Sequence, residues 1–319
     1  MKITIIRLLF LAGFCAAFYS CQKDQSATKP ITSASPNLAF RSDDCDCDAV
    51  LDAIVFVCEM FHFDDYSSLQ ATEHCLAQLV DEHLAAFTAE YGHLADDAYN
   101  EVAEELQFDE NEPLIAFEEQ WGINSLRAAM EAEVNQWLDE MGPEFDFGSY
   151  PDDYMIMSDP LRTLINADGN IQIAGQSINY TALRKASKPE DDGKCKSNIV
   201  QLDTFAVSAN QRIIVKASSF DAVFWQRVAS RVENYEWIRN KWRKRRTTMT
   251  AEVGGQYREI HCTVLYEQMY DIKTKRARNV CVGDSFGRSN GQGQGRLIQG
   301  NCWMEGIGTL GSTVGRVCL

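Results

Sequence analysis

Residues 43–159 are almost without basic side chains, since Arg127 alone stands among 31 aspartates and glutamates. The i,i+4 ion pairs that usually support solvent-facing helices are therefore excluded away from Arg127. Like-charge neighbours instead cost on the order of 0.2–0.5 kcal/mol each. Residues 160–319 reverse the balance with 14 acids and 24 bases, so that 24 − 14 leaves ten positive charges in excess. A salt-adapted acidic surface would cover both stretches, and this one does not. Any Cys-x-x-Cys pair is also missing, so Cys45-Asp46-Cys47 has no second close pair and a zinc site is not supported. No H-E-x-x-H occurs either. His62, His74, His83 and His93 lie among carboxylates without ligand spacing and read as solvated or structural. The sequence implies no metal and no cofactor.

What is present begins with an export signal at residues 1–20. Lys2 and Arg7 precede an apolar run over residues 8–19, too short to span a bilayer as a helix of about 20 residues. Ser20-Cys21 follows and resembles a bacterial lipobox, in which the Cys thiol is acylated and becomes the mature N-terminus. Two acyl chains anchor stably where one does not. Ordinary cleavage near Ala17 is the alternative, giving a periplasmic or secreted soluble protein. Residues 21–44, rich in Ser, Thr, Ala and Pro, read as a flexible tether.

Beyond Cys15 and Cys21, nine cysteines remain: Cys45, Cys47, Cys58, Cys75, Cys195, Cys262, Cys281, Cys302 and Cys318. In an oxidising compartment they are disulfide candidates with at least one left over, paired within each half.

Residues 45–158 have a helical rhythm. A first helix is expected through Ala49, Val50, Ile54, Phe56, Val57 and Phe61. Ser67-Ser68-Leu69-Gln70 has the spacing of a capping box and opens a second, which Gly92 stops. Asp96 or Asp97 caps a third, Pro113 starts a fourth that runs to Trp121-Gly122, and Ser125 caps a fifth. Short loops between them imply antiparallel neighbours in a bundle.

Residues 159–180 form the junction. Asp159-Pro160 starts a short helix, Asn166-Ala167-Asp168-Gly169 is a turn, and Ile171, Ile173, Ile178 and Tyr180 alternate as a hairpin. In calcium-loop register the first and twelfth positions are Leu164 and Gly175, so no calcium site is read there. The hairpin is expected to be an apolar footing shared by the two halves.

Residues 181–319 read as an antiparallel β-rich domain, with 220–234 ambiguous between helix and strand. Gly283-Asp284-Ser285-Phe286-Gly287 and Ile260-His261-Cys262 superficially resemble serine-protease segments. The two lie one hairpin apart with no Asp partner between them, and no helix follows Ser285. Ser285 and His261 are therefore weak catalytic candidates. Gly291–Gly295 lacks the Lys-Ser/Thr of a phosphate loop. The basic run 239–246 reads as a solvated strand edge, a contact with the acidic half or a contact with anionic glycolipid, and nucleic acid is not expected. Trp225, Trp237, Trp242 and Trp303 are core candidates before they are sugar platforms.

The Ser20-Cys21-Gln22-Lys23-Asp24 start, the Phe117-Glu118-Glu119-Gln120-Trp121-Gly122 segment with Ser125-Leu126, and residues 161–180 together resemble Bacteroidetes-type surface lipoproteins. The resemblance covers roughly the first 180 residues and implies address and architecture, with no activity. The expectation is an α+β protein, an N-terminal antiparallel helical bundle followed by a C-terminal antiparallel β-rich domain. It would be lipid-anchored at the outer membrane or cell surface and bind or adhere without catalysis, its partners being an anionic glycolipid, a glycan or a protein. An extracellular hydrolase of peptide or glycan, and a structural subunit of a surface assembly, are the alternatives.

Overall fold

The apolar segment after Asp48 does not continue as one helix. In a computed structural model describing residues 46–145, 147–152, 158–180, 199–221, 225–258, 265–287, 296–297 and 304–318, α1 (Cys47–Asp52) stops after six residues. β1 (Val55–Val57) and β2 (Met60–Phe63) then form a hairpin. Its turn residues Cys58 and Glu59 both take positive φ, 53° and 61°. Phe61 and Phe63 are buried at alternate positions while Val55 and Val57 face out, a period of two that only a strand satisfies. Cys47 is bonded to Cys75, which ties α1 to the next helix. Cys58 is disulfide-bonded as well.

α2 (Tyr66–Tyr91) begins with a capping box two residues earlier than expected. The Asp65 and Ser68 side chains each accept the other's backbone N–H, at 2.8 and 3.2 Å. α3 (Asp96–Glu105) has Ala95 at its N-cap in place of an Asp, so both aspartates lie in its first turn. α4 (Glu112–Trp121) carries Pro113 at its start and ends on Gly122 at φ 64°. α5 (Leu126–Glu140) is capped by Ser125. α6 (Asp159–Thr163) is capped by Ser158, and Asp159 is its first residue.

The junction hairpin pairs β3 (Asn170–Ile173) with β4 (Gln176–Asn179), and β3 runs parallel to β2. The resulting sheet has the order β1-β2-β3-β4. Ile171, Ile173, Ile178 and Tyr180 join Phe61, Leu69, Leu114, Phe117 and Leu126 in one core. Among the described residues beyond 180, only Val200 packs against it. The hairpin thus belongs chiefly to the helical part's own core, because pairing with β2 places its isoleucines there, and among the described residues its apolar footing reaches the sheets at Val200 alone.

The remaining strands build two antiparallel sheets. One is ordered β11 (Asn279–Gly287), β7 (Trp225–Ile238), β6 (Gln211–Asp221), β5 (Ile199–Ser208), with β8 (Lys241–Lys244) also on β7. The other is β10 (Leu265–Ala277), β9 (Thr247–Arg258), β13 (Met304–Leu310), β14 (Thr313–Cys318), with β12 (Arg296–Leu297) on β9. Ile213, Val215, Val228 and Val232 of the first sheet share a core with Met249, Ala251 and Val253 of the second. The ambiguous segment 220–234 is therefore largely strand, in β7.

β6 and β7 are buried on both faces, and this arrangement positions the candidate site. Ile213, Val215 and Ala217 look into the sandwich, while Ile214, Lys216 and Ser218 look the other way and are equally enclosed. Their cover is α5, whose Val134, Trp137 and Leu138 pack with Ile214, Tyr235 and Trp242. The chain is a mixed α+β protein, and the described residues lie within one compact unit.

Candidate functional site

The outer face of β6–β8 carries charge where a covered face ordinarily carries apolar side chains. Lys216, Arg231 and Glu233 sit there with almost no exposure. Each has a partner, as buried charges require. Lys216 Nζ lies 2.6 Å from Asp152 Oδ1 and donates to the Asp152 carbonyl at 3.0 Å. Arg162 donates to both oxygens of the same carboxylate, at 2.8 and 3.1 Å. Arg231 reaches Asp159 at 2.7 Å and Glu233 at 2.9 Å. Glu233 also accepts the hydroxyls of Tyr150 and Tyr235, both at 2.6 Å, and has Lys244 at 3.3 Å.

The electrostatic consequence is that these groups are pinned in their charged forms. Burial opposes ionisation of Asp152, yet Arg162 and Lys216 hold it well below the usual carboxylate range. Burial likewise opposes Glu233 and Asp159, but Lys244 and Arg231 pull the first down, and Arg231 and Arg162 the second. Arg231 is raised despite its burial by Asp159 and Glu233. Lys216 is the exception: burial, reinforced by Arg162 and Arg231, pushes it down to about 8.

The same pairing continues along the boundary between helices and sheets. Arg227 meets Glu73 at 2.6 Å, and Arg246 meets Glu110 at 2.8 Å. Arg245 lies 3.2 Å from Glu104, Arg276 reaches Asp96 at 2.5 Å, and Lys275 pairs with Asp81. Asn100 adds a neutral clasp, donating to the Arg246 carbonyl at 2.8 Å and accepting its N–H at 3.0 Å. Of the three readings of the basic run 239–246, contact with the acidic half is the one present in the geometry.

A cavity of about 500 Å³ opens between α3, α5 and α6 on one side and β7, β8 and the start of β11 on the other. Eight cationic side chains line it (Arg127, Arg162, Arg231, Lys241, Arg243, Lys244, Arg246 and Arg278), with six acidic ones (Glu104, Asp109, Glu131, Asp139, Asp152 and Asp159). Asn111, Asn135 and Gln107 add amides, and Phe108 and Trp242 add aromatic faces. A second cavity of about 280 Å³ touches Cys281, a free thiol whose pKa burial raises. A raised thiol is a poor nucleophile.

The residues singled out from sequence are not brought together here. Ser285 lies on β11, opposite Arg227 of β7, so no elbow leads into a helix at that position. His261 lies outside the described residues, as do Cys21, Cys45, Cys195, Cys262 and Cys302, the loop 291–295 and Trp303. Trp242 is buried and packs on Trp237 with ring centroids 5.5 Å apart, a core role. His83 stacks on Phe108, and its Nε2 is 3.0 Å from the Asp109 carbonyl oxygen. Among the described residues no group of three or more His, Cys, Asp or Glu is arranged to hold a metal. Lys216, Arg231, Glu233 and Asp152 were not foreseen as site residues. The available signal was charge at every second position of strand-like runs, as in Arg231-Val232-Glu233.

These features define an α+β protein with an ion-paired layer between its helical and sheet parts and a polar cavity along that layer. No family model matches the chain, and no curated protein matches it. A solved structure of a DUF4848 family protein from Bacteroides thetaiotaomicron matches with 10% identity and a TM-score of 0.22, covering 83% of this chain and 100% of that one. A likeness at that level carries no argument about this chain.

Proposed function

We propose that the protein is a lipid-anchored, exported envelope protein of the Bacteroidetes surface-lipoprotein type. In this reading an acylated Cys21 holds it at the outer membrane or cell surface, and an acidic helical bundle docked on a basic β-rich part binds a ligand without transforming it. The observation that carries the binding role is the cavity of about 500 Å³, within the size range of small-molecule sites. Acid–base catalysis works best with groups that titrate near the operating pH. Asp152 and Asp159 are instead held ionised, and Arg127 is held protonated by Glu118 against its burial. Lys216 does titrate in a useful range, but it does not line this cavity. Such a wall recognises charge and hydrogen-bonding pattern.

Two measurements test the reading. Radiolabelled fatty acid is expected to enter the wild-type protein and not Cys21→Ser, and surface proteolysis of intact cells is expected to remove the wild type. Absence of Cys21-dependent label would sink the anchor. For the binding role, the purified protein should leave panels of peptides and glycans uncut. Turnover that disappears in Ser285→Ala would replace the binder with the hydrolase.

A further inference from the structure

We propose that the cavity between α5 and β8 is a site for an acidic sugar, a small polyhydroxylated molecule bearing a carboxylate or a phosphate, whose acid group is held at the β8 wall by Arg243, with Lys241 beside it on the same face of the strand. This rests on the binding reading above and names its ligand class.

The walls of the cavity differ in charge. On β8, Lys241 has Asp139 at 2.7 Å as its partner, and Lys244 shares Glu233 with Arg231. The Arg243 side chain is exposed and makes no hydrogen bond or close ion pair among the described residues: Glu236, across from it on β7, is engaged by Arg245 at 3.2 Å, and Asp139 feels its charge only after that of Lys241. Lys241 and Arg243, on one face of the strand, thus have a single carboxylate, Asp139, between them. Deeper in, Arg246 and Arg278 divide Glu110 and Asp109 between them, which leaves no surplus. The α5 wall is opposite in sign. There Arg127 is already bidentate to the buried Glu118, and Glu131 leans on that same guanidinium at 2.6 Å with about a third of its side chain exposed.

An acid entering this space is repelled from Glu131 and drawn to β8. A guanidinium with its fork free suits a planar carboxylate or a phosphate oxygen pair. Asn111, Asn135 and Gln107 present the amide groups that hydroxyls need, and Trp242 and Phe108 supply apolar faces.

Titration calorimetry on the mature protein in detergent, with glucuronate, glucose 6-phosphate and glucose, tests this. At least one of the two acids is expected to bind saturably while glucose does not, and the preferred acid tells carboxylate from phosphate. Arg243→Gln is expected to weaken binding about tenfold, as for loss of one charge-assisted hydrogen bond, with an unchanged thermal midpoint. Glucose binding as tightly as the acids would overturn the acidic ligand and leave the binding reading standing. Silence from all three sugars, or affinity untouched in Arg243→Gln, would overturn the proposal outright.

Discussion

Asp152 is the residue on which most depends. It is buried, it neutralises both Lys216 and Arg162, and it lies beyond the last helix of the acidic stretch, within bonding reach of β6. Replacing it with Asn leaves the enclosed Lys216 without its carboxylate and Arg162 with the more distant Asp159 at 3.7 Å, a change of the kind that typically costs about 3–5 kcal/mol. Asp139 pairs with Lys241 at the same distance class, but the two side chains are 68% and 52% exposed. Asp139→Asn is therefore expected to leave the unfolding midpoint where it is. Urea denaturation of the two variants side by side decides whether burial or mere proximity makes these pairs matter.

The same residues set the pH response. The folded-state pKa values of Asp152, Asp159 and Glu233 are depressed, so their stabilisation is full above the unfolded carboxylate range of about 4. It is lost as pH falls from there toward the folded values. Lys216 acts at the other end. Its pKa falls from 10.5 to about 8, so between those values the unfolded chain holds more proton, and this group alone adds stability as pH rises through the interval. Thermal midpoints recorded from pH 6 to pH 3 should fall steeply in wild type and less steeply in Asp152→Asn. Parallel curves would mean that the buried layer does not control acid unfolding.

At the scale of elements, β13 shows how tightly the two sheets approach. A Cβ on Gly308 would come within 2.6 Å of methyls of both Val215 and Val232. Gly308→Ala should cost about 1–3 kcal/mol through overpacking, read as a lower urea midpoint at unchanged slope. Gly122→Ala is a different case, since open space surrounds it and only its φ of +64° resists a side chain.

β13 also shows where legibility ended. Its glycines are in the strand because two sheets meet there, but read in one dimension Gly306 and Gly308 look like turn punctuation. β7 failed for a related reason. Both of its faces are buried, one by valines and one by ion pairs, so the polar–apolar alternation that marks a half-exposed strand was present but pointed nowhere. The caps and stops at Gly92, Gly122 and Ser125 were legible because each depends on its own few neighbours. At the candidate site the opposite holds. The charge imbalance between halves was plain, yet which acid would meet which base depends on contacts such as Arg227 with Glu73, 154 positions apart.

For the whole molecule, that imbalance has a structural consequence. The β6–β8 face presents Ile214, Tyr235 and Trp242 beside Lys216, Arg231 and Glu233, and all six are buried by chain that precedes residue 160 or by one another. Such a surface is unsuited to water. Its aromatic part would form an exposed apolar patch, and its cations would lose Asp152 and Asp159. The helical layer in turn, left alone, would hold about thirty acids against Arg127, with mutual repulsion replacing the pairs it makes with β7–β11. Each part therefore solves the other's problem, and the two should melt together. A fragment of residues 181–319 is expected to aggregate or bind a hydrophobic dye, and to be rescued by co-expression of residues 45–180. The intact protein is expected to unfold in one transition, with calorimetric and van't Hoff enthalpies equal. A soluble, cooperatively folding 181–319 fragment would show that the ionic layer joins two independent folds and does not create one.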